Sequence, residues 1–369
     1  MTIILSAINN LTLRKFKKNF WGVLSFFIIL AFAFISVFAY KLAPDNSVNA
    51  NQMHLSIHSK NPGFKVQILT IPSGEVTRQS YVDKFFFGEK NSDLEQPILN
   101  YRINQEKLFI TEYAGEGILG LEKEIPLEKF PGNLSAEQIA EKYVSTKKFL
   151  LGTDKYGRDL LSRLIVGTRI SFSIGFIAVI ISLIIGLSFG AVAGFFGGKI
   201  DAFIMWIVNI TWSIPTLLLV IAITLALGKG FWQVFIAVGL TMWVEVARIV
   251  RGQVMSVKQM QYITAATALG YSNFRIIFKH ILPNVTAPVI VISAANFAAA
   301  ILIESGLSFL GIGAQPPMPS WGSMIKDHYS YIIVGKPYLA IIPGIAIMAL
   351  VMAFMLMGNA IRDTLDVKN

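Results

Sequence analysis

The sequence predicts an all-α polytopic membrane protein of six transmembrane helices, with a small, mostly β extracytoplasmic insert after the first span. Three observations carry this. Of the 369 residues, 54% are hydrophobic and the mean hydropathy is +0.59, whereas a soluble chain is roughly 45–50% apolar. Only 15% are charged, against roughly 25% in soluble domains. The charge is also unevenly placed. Residues 41–169 hold 17 of the 32 Lys+Arg and 16 of the 22 Asp+Glu, which makes that stretch solvated and nearly neutral.

The elements follow in order. Residues 1–20 form a basic cytoplasmic N-terminus, with Arg14, Lys15, Lys17 and Lys18 ahead of the first apolar run. Residues 21–40 suffice to cross about 30 Å of hydrocarbon. The run exceeds the roughly 7–15-residue core of a signal peptide and no small-residue cleavage site follows, so it reads as an uncleaved span. Residues 41–150 form the insert. Strands are expected at 64–71, whose residues alternate before the turn signal Pro72-Ser73-Gly74, and at 75–82, 97–103 and 107–113. Residues 135–148 read as a helix with Ser135 as N-cap. His54 and His58 sit in a strand-like segment and read as two solvated histidines rather than metal ligands.

Residues 151–169 place Leu160, Leu161, Leu164 and Ile165 on one face and Arg158, Asp159, Arg163 and Arg169 elsewhere, as an interfacial helix does. Residues 170–358 form a five-helix core. Its spans are 170–195, 202–227, 231–247, 285–310 and 338–358. Pro215 removes a backbone hydrogen bond from the second of these and is expected to kink it. Gly186, Gly190 and Gly194, four apart, favour close helix packing. Residues 307–325 are proline-rich, with Trp321 at an interface, and suggest a rigid outer connector. Residues 359–369 are a cytoplasmic C-terminal tail.

Orientation follows from basic residues in short loops. With the N-terminus inside, 12 lysines and arginines flank the spans inside and only Lys229, Lys326 and Lys336 lie outside. That asymmetry is the positive-inside pattern. It also accounts for the formal charge of +10 without nucleic acid, because the basic residues flank spans instead of clustering on a soluble domain.

Between two apolar runs lies a polar, basic loop, 248–284. In it Tyr262, Ala265, Ala266 and Leu269 fall on one face of a short helix that Gly270 ends. A second amphipathic turn follows, with Ile276, Ile277, Ile281 and Leu282 apolar and Arg275, Lys279 and His280 polar, closed by Pro283 and Asn284. Small residues on an exposed face let a partner's backbone come close. This stretch resembles the cytoplasmic coupling loop of ABC-importer permeases. Ala265, Ala266, Gly270 and the run His280 to Asn284 match the family pattern. Thr264 stands where the family usually has Glu, so the resemblance carries the docking surface and not a salt bridge from that position. Residues 151–175 (LGTDKYGRDLLSRLIVGTRISFSIG), 307–325 and the ending GNAIRDTLD are similar to signatures of the oligopeptide, dipeptide and nickel branch, in the subunit with an extended N-terminal span. The resemblance covers 11–40 and 150–368 and fails over roughly 45–148.

No phosphate-binding loop is present: Ile200 follows Gly198-Lys199 where Ser or Thr is required. No G-x-S-x-G or H-E-x-x-H pattern occurs, and with no cysteine there is neither a disulfide framework nor a thiolate metal site. Two acids lie within spans, each a functional hypothesis by default. Glu245 is expected to pair with Arg248 or Arg251. Glu304 matches the family's Glu before Leu-Ser-Phe-Leu-Gly; it either bonds between helices or to a partner permease, or lines the path.

The resemblance implies the type I ABC-importer permease fold and a non-catalytic subunit of a binding-protein-dependent importer in a bacterial inner membrane, with no cofactor or metal. Its partners would be a second homologous permease, two ABC ATPase subunits, an extracytoplasmic solute-binding protein and membrane lipid. Tyr262, Thr264, Ala265, Ala266, Leu269 and Gly270 would contact the ATPase, with Arg275 and Lys279 in support, and Glu304 and Pro215 are candidates for the path or the intersubunit contact. A peptide is the first expectation for the solute, and a nickel chelate or another small solute the alternative. Two other classes stay open: an ion-coupled carrier, and an envelope scaffold acting through the insert.

Overall fold

The structure, a computed structural model, describes residues 14–365 apart from 75–78, 91–92, 105–106, 116, 133 and 229. In chain order the elements are α1 (Phe20–Val37), β1 (Phe64–Ile71), α2 (Tyr81–Phe87), β2 (Leu94–Asn104), β3 (Lys107–Glu112), β4 (Glu122–Ile125), α3 (Ala136–Tyr143) and β5 (Val144–Phe149). Then come α4 (Leu160–Phe196), α5 (Gly198–Ser213), α6 (Thr216–Leu227), α7 (Phe231–Lys258), α8 (Gln261–Ala268), α9 (Asn273–Ile276), α10 (Leu282–Phe309), α11 (Trp321–His328) and α12 (Tyr338–Leu365). The chain forms two compact units. One comprises Ile35–Ile170 and Pro316–Pro343, and the rest of the chain makes the other.

The first unit carries an antiparallel sheet of order β4-β3-β2-β1-β5. Alternation puts Leu69, Ile71, Ile98, Leu108, Ile110 and Ile125 on one face, where Phe130 and Ile139 cover them. The strands expected at 64–71, 97–103 and 107–113 form. Of the one expected at 75–82, residues 75–78 lie outside the described residues, while Tyr81 and Val82 open α2 instead of continuing a strand. Ser135 caps α3 with a capping box, its Oγ accepting from the Gln138 amide while Gln138 Oε1 accepts from the Ser135 amide. The helix stops at Tyr143 rather than 148, because Val144–Phe149 pairs along β1 instead. His54 is not solvated. It precedes a 3₁₀ turn, is buried, and faces Glu95 at 3.0 Å, while Lys147 approaches the other Glu95 oxygen at 2.5 Å.

The segment before α4 is a polar knot rather than an interfacial helix. Asp154 accepts from the amides of Tyr156 (2.8 Å) and Arg158 (3.0 Å) and from Arg158 Nε (2.6 Å). Asp159 caps α4, accepting from the Ser162 amide at 2.8 Å. Arg158, Asp159 and Arg163 are therefore buried and satisfied. Gly157 has φ +73, and a Cβ there would lie 1.8 Å from the His54 carbonyl oxygen. Trp321, expected at an interface, is fully enclosed and donates to the Leu164 carbonyl at 3.0 Å.

The second unit is helical. α4 continues unbroken through 160–196, so the expected interfacial helix and the span after it are one helix. Gly186, Gly190 and Gly194 meet Val246, Val250 and Val254 of α7. A Cβ at Gly190 would sit 2.6 Å from the Ala247 carbonyl oxygen, so the seam admits only glycine. At Pro215 the chain breaks rather than kinks: α5 and α6 are bent by 93°. Pro283 and Asn284 close nothing. A π turn over Ile277–Ile281 carries α9 into α10 past Pro283; the wider ring of such a turn accommodates the missing N–H. Among the described residues five helices are long and apolar enough to cross a membrane, and the bent pair α5–α6 makes a further candidate.

Candidate coupling site

The polar loop folds as a short helix held between long ones. α7 runs to Lys258, eleven residues past the predicted end at 247. Met260, in extended conformation, turns the chain into α8. Ile263 (3% exposed) and Ala266 (5%) are buried with Phe195, Val254, Val257, Ile276 and Ile281. Ala266 thus faces the core, a correction to its expected place on the docking face. Residues three apart share a helix stripe, and Ile263 draws Ala266 inward with it. Tyr262, Thr264, Ala265 and Leu269 are exposed, Leu269 by 72%.

Gly270 ends α8 as expected. Its φ is +76; its amide donates to Thr267 O at 3.0 Å and the Tyr271 amide to Ala266 O at 3.2 Å. Those two bonds are the Schellman pattern, which requires the left-handed residue. Beyond it Arg275 lies over the Tyr271 ring at 4.2 Å, and Tyr271 stacks on His280. Arg275 and Lys279 are exposed, so a positive rim borders an apolar and small-residue face. Met260, Phe274 and Phe278 extend that face, the two phenylalanine rings 4.3 Å apart. The sequence reading missed them. The signal was there: two aromatics four apart, on the side of the turn away from Ile276 and Ile277.

The basic residues at the end of α7 brace this site. Arg251 makes paired bonds of 2.5 and 2.6 Å to Asp201 at the start of α5. Lys258 Nζ donates to the Phe195 carbonyl at 2.6 Å, satisfying one of the free carbonyls that end α4. Arg248 donates to Asn209 Oδ1 at 2.6 Å and covers the Trp212 ring at 3.9 Å. Neither arginine meets Glu245, contrary to expectation; Glu245 is exposed. Glu304 is fully enclosed and accepts from Ser308 Oγ at 2.6 Å, and that hydroxyl accepts in turn from the Ala314 amide. It fastens the turn after α10. Pro215 lines a cavity of about 300 Å³ at the break between α5 and α6, together with Thr211, Trp212, Thr241 and Glu245.

Comparison with known proteins bears on this architecture. The profile of a family described as binding-protein-dependent transport system inner membrane component matches residues 186–367. A glutathione transport system permease protein, GsiD, of Pectobacterium atrosepticum is 39% identical over 218 residues, which are 59% of this chain and 72% of that protein. This chain belongs to that family. Among other relatives, the dipeptide transport system permease protein DppC of Alkalihalophilus pseudofirmus is 42% identical, over 59% of this chain and 71% of its own. The oligopeptide transport system permease protein OppC of Bacillus subtilis is 39% identical, over 60% and 73%. A solved inward-facing MetNI methionine ABC transporter aligns with 56% of this chain and 97% of that chain at 18% identity and TM-score 0.47. As an inner-membrane component of this family the chain is a transport permease, and α8 lies inside the matched region.

Proposed function

We infer that this chain is one transmembrane subunit of an ATP-driven, binding-protein-dependent importer of peptides. It forms half of the translocation path beside a second homologous permease. Two ABC ATPase subunits hydrolyse the ATP, and an extracytoplasmic solute-binding protein delivers the solute. The chain crosses the membrane six times, α5 and α6 together making one crossing, with both termini in the cytoplasm and the sheet outside. The names of the relatives support a peptide as solute.

The observation that carries this reading is α8. Its inner stripe is anchored by Ile263 and Ala266, its end is fixed by Gly270, and its outer stripe of Tyr262, Thr264, Ala265 and Leu269 is exposed. A helix held this firmly at both sides transmits a push from a docked partner to α4 and α7 with little loss in local bending. The test is to purify the tagged chain in mild detergent, identify what accompanies it and measure ATP hydrolysis. Recovery of a second permease and ATP-binding subunits, with activity lost in Gly270→Asp, is the expected result. Recovery of the chain alone with no ATPase activity overturns the reading in favour of a carrier or scaffold.

A further inference from the structure

Glu245 lies 14 residues into α7, about 21 Å along it at 1.5 Å per residue. Its neighbours Val244 and Val246 are buried, while the carboxylate side is exposed and borders the cavity at the α5–α6 break. Among the described residues it has no ion pair and no hydrogen bond. The cations within one or two turns are committed elsewhere, Arg248 to Asn209 and Trp212 and Arg251 to Asp201. Glu245 lies near the inner end of the apolar run 231–247, one turn before Arg248, where an unpaired carboxylate persists because it faces water or a counter-charge.

The polar groups around the cavity are matched to a donor-rich cation. Thr211 Oγ1 gives its proton to Ile207 O at 3.0 Å, and Thr241 Oγ1 gives its own to Val238 O at 2.9 Å. Each hydroxyl is thereby left as an acceptor. The C-terminal end of α5 and the N-terminal end of α6 both border the cavity, so their backbone dipoles oppose each other and the side chains set its charge. A primary ammonium has three N–H donors and no acceptor. It finds here one carboxylate and two hydroxyl acceptors, with Trp212 at the wall. The volume of about 300 Å³ lies at the lower end of the small-molecule range of about 300–1,000 Å³, enough for the terminal residue of a solute but not for a long one.

We propose that Glu245, with Thr211 and Thr241, is the point on the translocation path that receives the α-ammonium of the transported peptide. This rests on the peptide-importer reading above. The carboxylate is the group the solute neutralises on its way through the helices, past their midpoint. The solute in turn removes the penalty of an unpaired charge, so the site is at its most favourable only when occupied.

The experiment uses the full complex in proteoliposomes with its solute-binding protein and a labelled dipeptide bearing a free N-terminus. Wild type is compared with Glu245→Gln and Glu245→Asp, following uptake, ATP hydrolysis and co-purification of the second permease. The expected result is that Glu245→Gln lowers uptake by about tenfold or more, the loss of one charge-assisted hydrogen bond. ATP turnover and co-purification stay near wild type, and Glu245→Asp restores most of the uptake. Wild-type uptake by Glu245→Gln overturns the proposal. So does a Glu245→Asp as impaired as Glu245→Gln, and so does loss of the second permease, which would make the carboxylate an intersubunit contact. A wild-type complex that moves no dipeptide overturns the peptide reading itself and this assignment with it, and is thereby distinguished from failure of the assignment alone.

Discussion

Two glycines in this chain hold positive φ for different reasons, and the difference sets what each substitution does. At Gly270, φ is +76 and an added Cβ would meet nothing within 4 Å. Gly270→Ala therefore costs only the left-handed strain of about 1–2 kcal/mol. The expected outcome is a folded, assembling permease whose α8 frays at its C-terminal end, with coupled ATP turnover reduced severalfold. Amide exchange over 261–271 together with ATPase activity of the complex checks it. At Gly157, φ is +73 and an added Cβ would lie 1.8 Å from His54 O. Gly157→Ala adds a backbone collision to the strain, and the loop that holds Asp154 and Arg158 must move. Its folded yield in detergent should fall sharply while that of Gly270→Ala stays near wild type; equal yields would sink the distinction. Sequence alone marked Gly270, since a helix-ending glycine follows an amphipathic run. It did not explain Gly157, because the colliding carbonyl is contributed by a residue about a hundred positions away.

At the scale of elements, legibility tracked local periodicity. β1 alternates and was read at its observed ends; β3 was read to within a residue, and β2, which carries a register shift between Ile98 and Asn100, to within three. β4 (EKEI) is three-quarters charged and β5 (VSTKKF) has one large apolar inward residue; both exist because partners in the sheet satisfy their backbone, which no local pattern reports. The polar face read as an interfacial helix at 151–169 is likewise an internal hydrogen-bond network. In this unit two groups depend on pH in the same direction. Burial pushes Glu95 up, but bonds from His54 and Lys147 outweigh it and hold the carboxyl below its ordinary range. Burial pushes His328 below the ordinary imidazole value against the opposing bond to Met324 O. The unfolded chain thus binds more protons than the folded one as pH falls, and acid must destabilise. Stability contributed by His328 is full above about pH 6.5 and declines below it, and that from Glu95 declines below about pH 4.3. Amide exchange in β1, β5 and α11, corrected for its intrinsic pH dependence, should show protection weakening from pH 7.5 down to about pH 3.5, first around α11 and then, at the acid end, in β1 and β5. Glu95→Gln should abolish the lower step in β1 and β5; a profile flat across this range would contradict the sign.

For the molecule as a whole, burial runs opposite to that of a soluble protein. Phe27, Leu30 and Phe34 on α1, Ile184 on α4, Phe203 and Trp206 on α5 and Met348, Met352 and Met355 on α12 are all half-exposed or more. Apolar stripes of that extent on helices of this length need lipid around them. The apolar runs were legible because hydrocarbon thickness fixes the length of a span; five helices meet that length and the bent pair α5–α6 is the further candidate. The 93° break at Pro215 was legible only as a kink, since proline marks the lost bond and the neighbours set the angle. Orientation rests on charge, with 12 basic residues in the segments assigned inside against 3 in the short loops assigned outside. Because the chain has no cysteine, one engineered thiol reports one position without background. Leu119, 93% exposed in the loop between β3 and β4, and Lys199, exposed in the first turn of α5, are suited to substitution, since neither side chain packs inward. Leu119→Cys in intact cells should react with a membrane-impermeant maleimide within minutes. Lys199→Cys should react only after permeabilisation. The reversed pattern would put the sheet and α8 on opposite sides from those proposed, and would remove α8 from the reach of any cytoplasmic ATPase. Labelling of both from outside would mean that an even number of crossings separates the two sites, and the single crossing assigned to α4 would have to be redrawn.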